Sequence, residues 1–194
     1  MAEKKSTGIQ TLYEQALQFA VKAHEGQGRK GSSLPYIIHP IETSLIAMTL
    51  TEDKEVIAAS LLHDVVEDTE YTAQDISERF GERVAALVLA SSENKRKDQK
   101  ASDTWRIRKQ EFLDGLEEKS HEERVLALAD KLSNMRATYQ GYRKNGEAFW
   151  LRFNEKNKES HAWYNRGVVE RLRSDFSETD AWKELDHLVE SVFK

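Results

Sequence analysis

The sequence predicts an all-α protein, and three observations predict it. Apolar residues recur at spacings of three and four along most of the chain. Both prolines, Pro35 and Pro40, fall near the start, so later segments carry no helix breaker of that kind. No stretch of useful length alternates apolar and polar residues as a half-buried strand would.

The elements follow in order. Thr11 with Glu14 makes a capping-box pattern, after which Leu12, Ala16, Leu17, Ala20 and Val21 keep helical spacing. Gly26 and Gly28 end that helix and open the loop "EGQGRKGSSLPY". Pro40 suits the first position of "PIETSLIAMTL", with His39 as its N-cap. Asp53 caps a third helix, "KEVIAASLLHDVVED". Thr72 with Asp75 opens a fourth through "ISERF", and Gly81 breaks it before "ERVAALVLAS". "SSENKRKDQKASD" reads as a polar, basic loop before the amphipathic "TWRIRKQEFLDGLEE". Ser120 with Glu123 opens "ERVLALADKLSNMRATYQ". "NGEAFWLRFN" and "HAWYNRGVVERLRSDF" give one or two helices, and "DAWKELDHLVESVF" a last one. The expectation is one domain over 1–194, with eight or nine helices around one core.

Composition narrows the function. The net charge of −5 disfavours nonspecific binding to a phosphate backbone, which needs a basic face. With no cysteine, zinc–thiolate sites and thiol nucleophiles are excluded. No segment approaches the roughly 20 apolar residues of a membrane span, and "MAEKKSTGIQTLYEQ" has no apolar signal-peptide region. A cytoplasmic enzyme or binding domain is the expectation, with neither nucleic acid nor membrane as partner and an oligomeric state the sequence leaves open.

The stretch "SLLHDVVEDT" carries the chemistry. His63 and Asp64 interrupt a run of Val56, Ile57, Ala59, Leu61, Leu62, Val65 and Val66. On a helix, Glu67 lies over His63 and Asp64, and Asp68 over Asp64. Such a cluster is costly to bury without a cation. Asp130 interrupts the apolar "VLALADKLSNM" in the same way, with Asn134 one turn on. His39, His63, Asp64 and Asp130 are therefore the candidate metal ligands. Two imidazoles and two carboxylates suit Mn²⁺, Fe²⁺ or Zn²⁺ better than Ca²⁺. Each residue taken alone also has a plain structural explanation: His39 as a cap, Asp130 as the partner of Lys131 or Arg136. It is the ordered combination that points to a metal.

That order, His…His-Asp…Asp, resembles the HD superfamily of metal-dependent phosphohydrolases. "FAVKAHEGQGRKGSSLPYIIHPIE", "AASLLHDVVEDTEYTAQDISERFGERVAALV" and "LALADKLSNMRA" resemble the signature blocks of RelA/SpoT-type alarmone hydrolases, over about Phe19 to Ala137. The resemblance implies a stand-alone alarmone hydrolase that uses Mn²⁺ to split the 3′-diphosphate from ppGpp or pppGpp, giving GDP or GTP and pyrophosphate. It implies Glu67 and Asp68 as the groups that handle water and protons. Arg29 and Lys30 match the family's loop cations, and Asn134 its A-D-K-x-x-N. Lys95, and Arg108 with Lys109, are weaker matches for substrate contacts. After Ala137 the sequence departs from the family, so another nucleotide (ppApp, a nucleoside monophosphate, NADPH) or a non-catalytic nucleotide-binding module stays open. Trp163 and Tyr164 are either a nucleoside wall or core.

Overall fold

Residues 8–29, 34–93, 95–96 and 98–194 are described by the computed structural model, with side chains from Leu12 onward. Every regular element among them is helical. The α-helices are α1 (Gly8–Ala23), α2 (Ile38–Ala47), α3 (Lys54–Leu62), α4 (Val65–Asp68), α5 (Ala73–Phe80), α6 (Glu82–Ser91), α7 (Ala101–Leu116), α8 (His121–Asn145), α9 (Lys158–Phe176) and α10 (Asp180–Val192). A 3-10 helix, Gly146–Arg152, links α8 to α9. The one extended pairing among the described residues is an isolated antiparallel bridge between Gly28 and Pro35. No helix among them is long and apolar enough to cross a membrane. The helices gather into two compact units, Met1–Ser92 and Glu93–Lys194.

In the first unit α3 is the centre. Every residue from Val56 to Leu62 is buried, so the helix is covered on all sides, by α1, α2 and α6. Small residues, Ala58, Ala59 and Ser60, let the neighbours approach closely. Asp53 caps it by accepting from the amides of Glu55 and Val56. The predicted capping box of Thr72 and Asp75 starts α5, and Gly81, at φ 92°, turns the chain into α6. In the second unit α8 packs on α10 and on the 3-10 helix, while α9 packs on α7 and α10. Ser120 and Glu123 form the predicted capping box of α8. Trp182 anchors α10 by donating from Nε1 to the Val169 carbonyl on α9, 2.9 Å away.

Three expectations are corrected. α2 begins at Ile38 with Ile37 before it, so His39 lies inside the first turn rather than at the cap. Tyr36 is the cause: its carbonyl accepts from the His39 amide at 2.9 Å, starting the turn ahead of Pro40. α1 begins at Gly8, so Thr11 sits within the helix; its side chain lies outside the described residues. The expected third helix is broken into α3 and α4, with a turn at His63 and Asp64. The break sits where two polar side chains make local contacts of their own.

Packing at the end of α8 leaves no room for a side chain. A Cβ added at Gly141 would overlap the ring of Phe149, a residue only 1% exposed. In an open helix Gly→Ala stabilises by about 1 kcal/mol. Here overpacking, which costs about 1–3 kcal/mol, should win. Gly141→Ala is expected to lower the urea midpoint of unfolding, and a raised midpoint would contradict this packing.

Candidate functional site

The site in the first unit grows from the end of α3. Ser60 sits in its last turn with its carbonyl directed at His63, whose Nδ1 is 2.8 Å away. A carbonyl oxygen can only accept, so Nδ1 carries the proton and Nε2 carries the lone pair. Nε2 lies 3.0 Å from Oδ2 of Asp64, and Nε2 of His39 lies 3.5 Å from the same oxygen. The two imidazoles meet edge to face, with centroids 5.1 Å apart. His39 is 2% exposed and His63 4%.

Acceptor atoms this close, in a place with little water, need a cation or protons among them. Tyr36 contributes one hydrogen, donating to Asp64 Oδ2 at 2.5 Å. Burial alone would push the Asp64 carboxyl up, but His63 and His39 beside it outweigh that and hold it well below the usual carboxylate range. An ionised carboxylate facing two nitrogen ligands fits a divalent transition-metal ion. The Ser60 contact is the orienting bond that metal-binding histidines usually have.

Glu67 and Asp68 follow on α4, both half-buried. Asp68 continues the helical ladder, its amide donating to the Asp64 carbonyl at 2.8 Å. Its carboxylate accepts from the Tyr36 hydroxyl at 3.2 Å. The turn at His63 and Asp64 thus preserves the clustering that an unbroken helix predicted. Arg29 lies just before the undescribed stretch, its amide donating to the Leu34 carbonyl at 2.9 Å. Lys30 lies outside the described residues.

The second unit carries the other candidates. Asp130 lies on α8, its carboxylate accepting from Lys131 at 2.6 Å and from Asn134 at 2.5 Å. The Lys131 pairing weighed above is therefore present, while Arg136 pairs with Glu184. Lys131 also stands 4.5 Å over the Phe112 ring. Burial would lower its ammonium, but Asp130, Tyr164 and Glu93 outweigh burial and hold it charged. Arg108 and Lys109 converge on Glu93, at 3.0 Å and 2.6 Å. Lys95 is half-buried in the loop after Glu93. Tyr164 is buried among Trp105 and Phe112, which makes it core. Trp163 is half-buried under the guanidinium of Arg106, 3.3 Å from the ring centroid.

Sequence reasoning missed Tyr36, Gln27 and Glu93. The first two lie within the quoted motif block, but only their hydrogen bonds give them a role. Glu93 looked like loop polarity, and nothing in its spacing marks it as the partner of two later cations.

Comparison with known proteins agrees with this geometry. A family model described as "HD domain" matches residues 16–148. A guanosine-3′,5′-bis(diphosphate) 3′-pyrophosphohydrolase of Aquifex aeolicus is 51% identical over 75 residues, 39% of this chain and 11% of that protein. A GTP pyrophosphokinase of Streptomyces coelicolor is 39% identical over 134 residues, 69% of this chain and 15% of that protein. The chain thus spans only a small fraction of the length of these relatives. Among solved structures, a metazoan SpoT ortholog described as hydrolysing ppGpp and acting in starvation responses superposes with a TM-score of 0.74 at 26% identity. That match covers 98% of both chains. A Listeria monocytogenes protein gives a TM-score of 0.70 at 31% identity, over 84% of this chain and all of that one.

The Glu93 cluster predicts an acid-sensitive second unit. Burial would raise the Glu93 carboxyl, but Lys109, Lys131 and Arg108 outweigh it and hold it below its ordinary value of 4.5. A carboxylate whose pKa is lower folded than unfolded stabilises the fold above the unfolded value. That stability is lost as pH falls through the folded value. Urea midpoints followed from about pH 7 to about pH 3 should fall less steeply for Glu93→Gln than for the parent. Parallel curves would contradict the cluster's charge state.

Proposed function

The chain belongs to the HD domain family, and from that membership we propose that it is a metal-dependent hydrolase of guanosine tetra- and pentaphosphate. It removes the 3′-diphosphate as pyrophosphate and leaves GDP or GTP. The observation that carries this reading is the convergence of His39 Nε2 and His63 Nε2 on Asp64 Oδ2, with the His63 tautomer set by Ser60. The choice of substrate is supported by the SpoT ortholog described as hydrolysing ppGpp, which matches nearly the whole chain.

In this reading His39, His63, Asp64 and Asp130 hold the ion, all four lying inside the matched family segment. A divalent ion, Mn²⁺ in our reading, makes water a nucleophile near neutral pH and offsets phosphate charge. Glu67 takes the proton of the attacking water. Asp68 shares the task by returning a proton to the departing 3′-oxygen, which must end as a hydroxyl. Arg29 and Lys30 bind phosphate or stack on the purine, and Asn134 hydrogen-bonds ribose or phosphate. Lys95 and Arg108 extend the cationic surface toward the substrate. The two units work together as one domain over 1–194, in the cytoplasm, on a small purine nucleotide.

Two experiments test this. In the first, the chain with added Mn²⁺ meets ppGpp, ppApp, nucleoside monophosphates and NADPH, and products are identified. Pyrophosphate and GDP from ppGpp are expected; orthophosphate from another nucleotide with ppGpp intact would overturn the substrate. Binding of ppGpp without turnover would point to a non-catalytic module instead. The second compares two variants. Asp64→Ala should lose metal and activity together. Glu67→Ala should keep metal while turnover falls about 10²–10⁴-fold, the usual share of a general base. A fully active Glu67→Ala would remove Glu67 from its role.

A further inference from the structure

Tyr36 has no part in the scheme above, yet two of its carboxylates meet at its hydroxyl. The phenol donates to Asp64 Oδ2 at 2.5 Å and to Asp68 Oδ2 at 3.2 Å. One O–H bond cannot serve both at full strength, so its proton is shared between two acids that would otherwise repel.

The ring is itself held in place. The bridge between Gly28 and Pro35 lays Tyr36 beside Gln27, and the Tyr36 amide donates to the Gln27 carbonyl at 2.9 Å. The Gln27 side-chain amide donates to the main-chain carbonyl of Asp68 at 3.0 Å. Its oxygen accepts from Nδ1 of His24 at 2.9 Å. His24 is 3% exposed, and its ring packs 4.9 Å from that of Tyr36. His24, Gln27 and Tyr36 thus form a closed chain of contacts that ends on the two carboxylates. Gly26 permits the loop to turn back in this way, at φ 77°.

We propose that Tyr36 is a positioning residue for the hydrolysis, its hydroxyl tying the ligand carboxylate Asp64 to the proton-handling carboxylate Asp68. The proposal rests on the metal-hydrolase reading above. Without the hydroxyl, Asp68 turns away from Asp64 and the proton transfer slows. Substrate binding, which Tyr36 does not serve, stays as it was. Asp64 loses an orienting hydrogen bond, so the ion is held less well. Loss of such an outer contact typically costs about 10–100-fold in metal affinity or activity.

The test is Tyr36→Phe, which removes one oxygen and keeps the ring. Co²⁺ titration followed by visible absorption reads the metal site without substrate, and steady-state kinetics on ppGpp with Mn²⁺ read the reaction. Expected are a Co²⁺ affinity lowered about 10-fold with an altered spectrum, and a kcat lowered about 10–100-fold at near-constant KM. Unchanged Co²⁺ affinity and spectrum together with parental kcat would overturn the proposal, as would a rise in KM with kcat intact. If Tyr36→Phe fails to fold, Gln27→Met decides the matter: losses in the same direction support the proposal and parental values overturn it. A parent chain inert toward ppGpp would overturn the substrate reading alone, and the Co²⁺ titration would still decide on Tyr36.

Discussion

One hydrogen bond, from Nδ1 of His63 to the carbonyl of Ser60, sets the chemistry of the first unit. It exists because α3 stops at Leu62, where the Ser60 carbonyl needs a donor that no further turn supplies. The histidine gives that donor and in doing so turns its basic nitrogen toward Asp64. The burial of α3 on every side fixes the direction of this nitrogen to within the play of a packed helix. A site built on a rigid element is held more precisely than one built on a loop.

The cost of the arrangement shows in its surroundings. Two imidazoles and a carboxylate in a nearly dry place are unfavourable without positive charge among them. Tyr36, donating to Asp64 and Asp68, offsets part of that cost before any ion arrives. The second unit solves a similar problem differently. There the acids Glu93 and Asp130 are neutralised by Lys109, Arg108 and Lys131. Aromatic rings of Phe112 and Tyr164 cover the two lysines.

Much of this was legible in the chain. The capping boxes at Thr72 and Ser120 and the cap at Asp53 are local chemistry, and the structure repeats them. The polar interruption at His63 and Asp64 marked the site because it breaks an apolar period. The turn between α3 and α4 was hidden, since both sides of it keep helical spacing. The start of α2 was misread because Pro40 signals a first helical position, whereas the Tyr36 carbonyl starts the turn sooner. Tyr36, Gln27 and Glu93 act through partners 28 to 41 and 15 to 16 residues away, and no local pattern announces such contacts.

The central claim is that His39, His63 and Asp64 form part of a divalent-metal centre. Anomalous diffraction from crystals grown with Mn²⁺ tests it most directly. The account predicts a strong anomalous peak bounded by His39 Nε2, His63 Nε2 and an Asp64 carboxylate oxygen, with His63 Nδ1 still on the Ser60 carbonyl. A fully loaded crystal with its Mn²⁺ elsewhere, and these three side chains bonded only to one another, would contradict it.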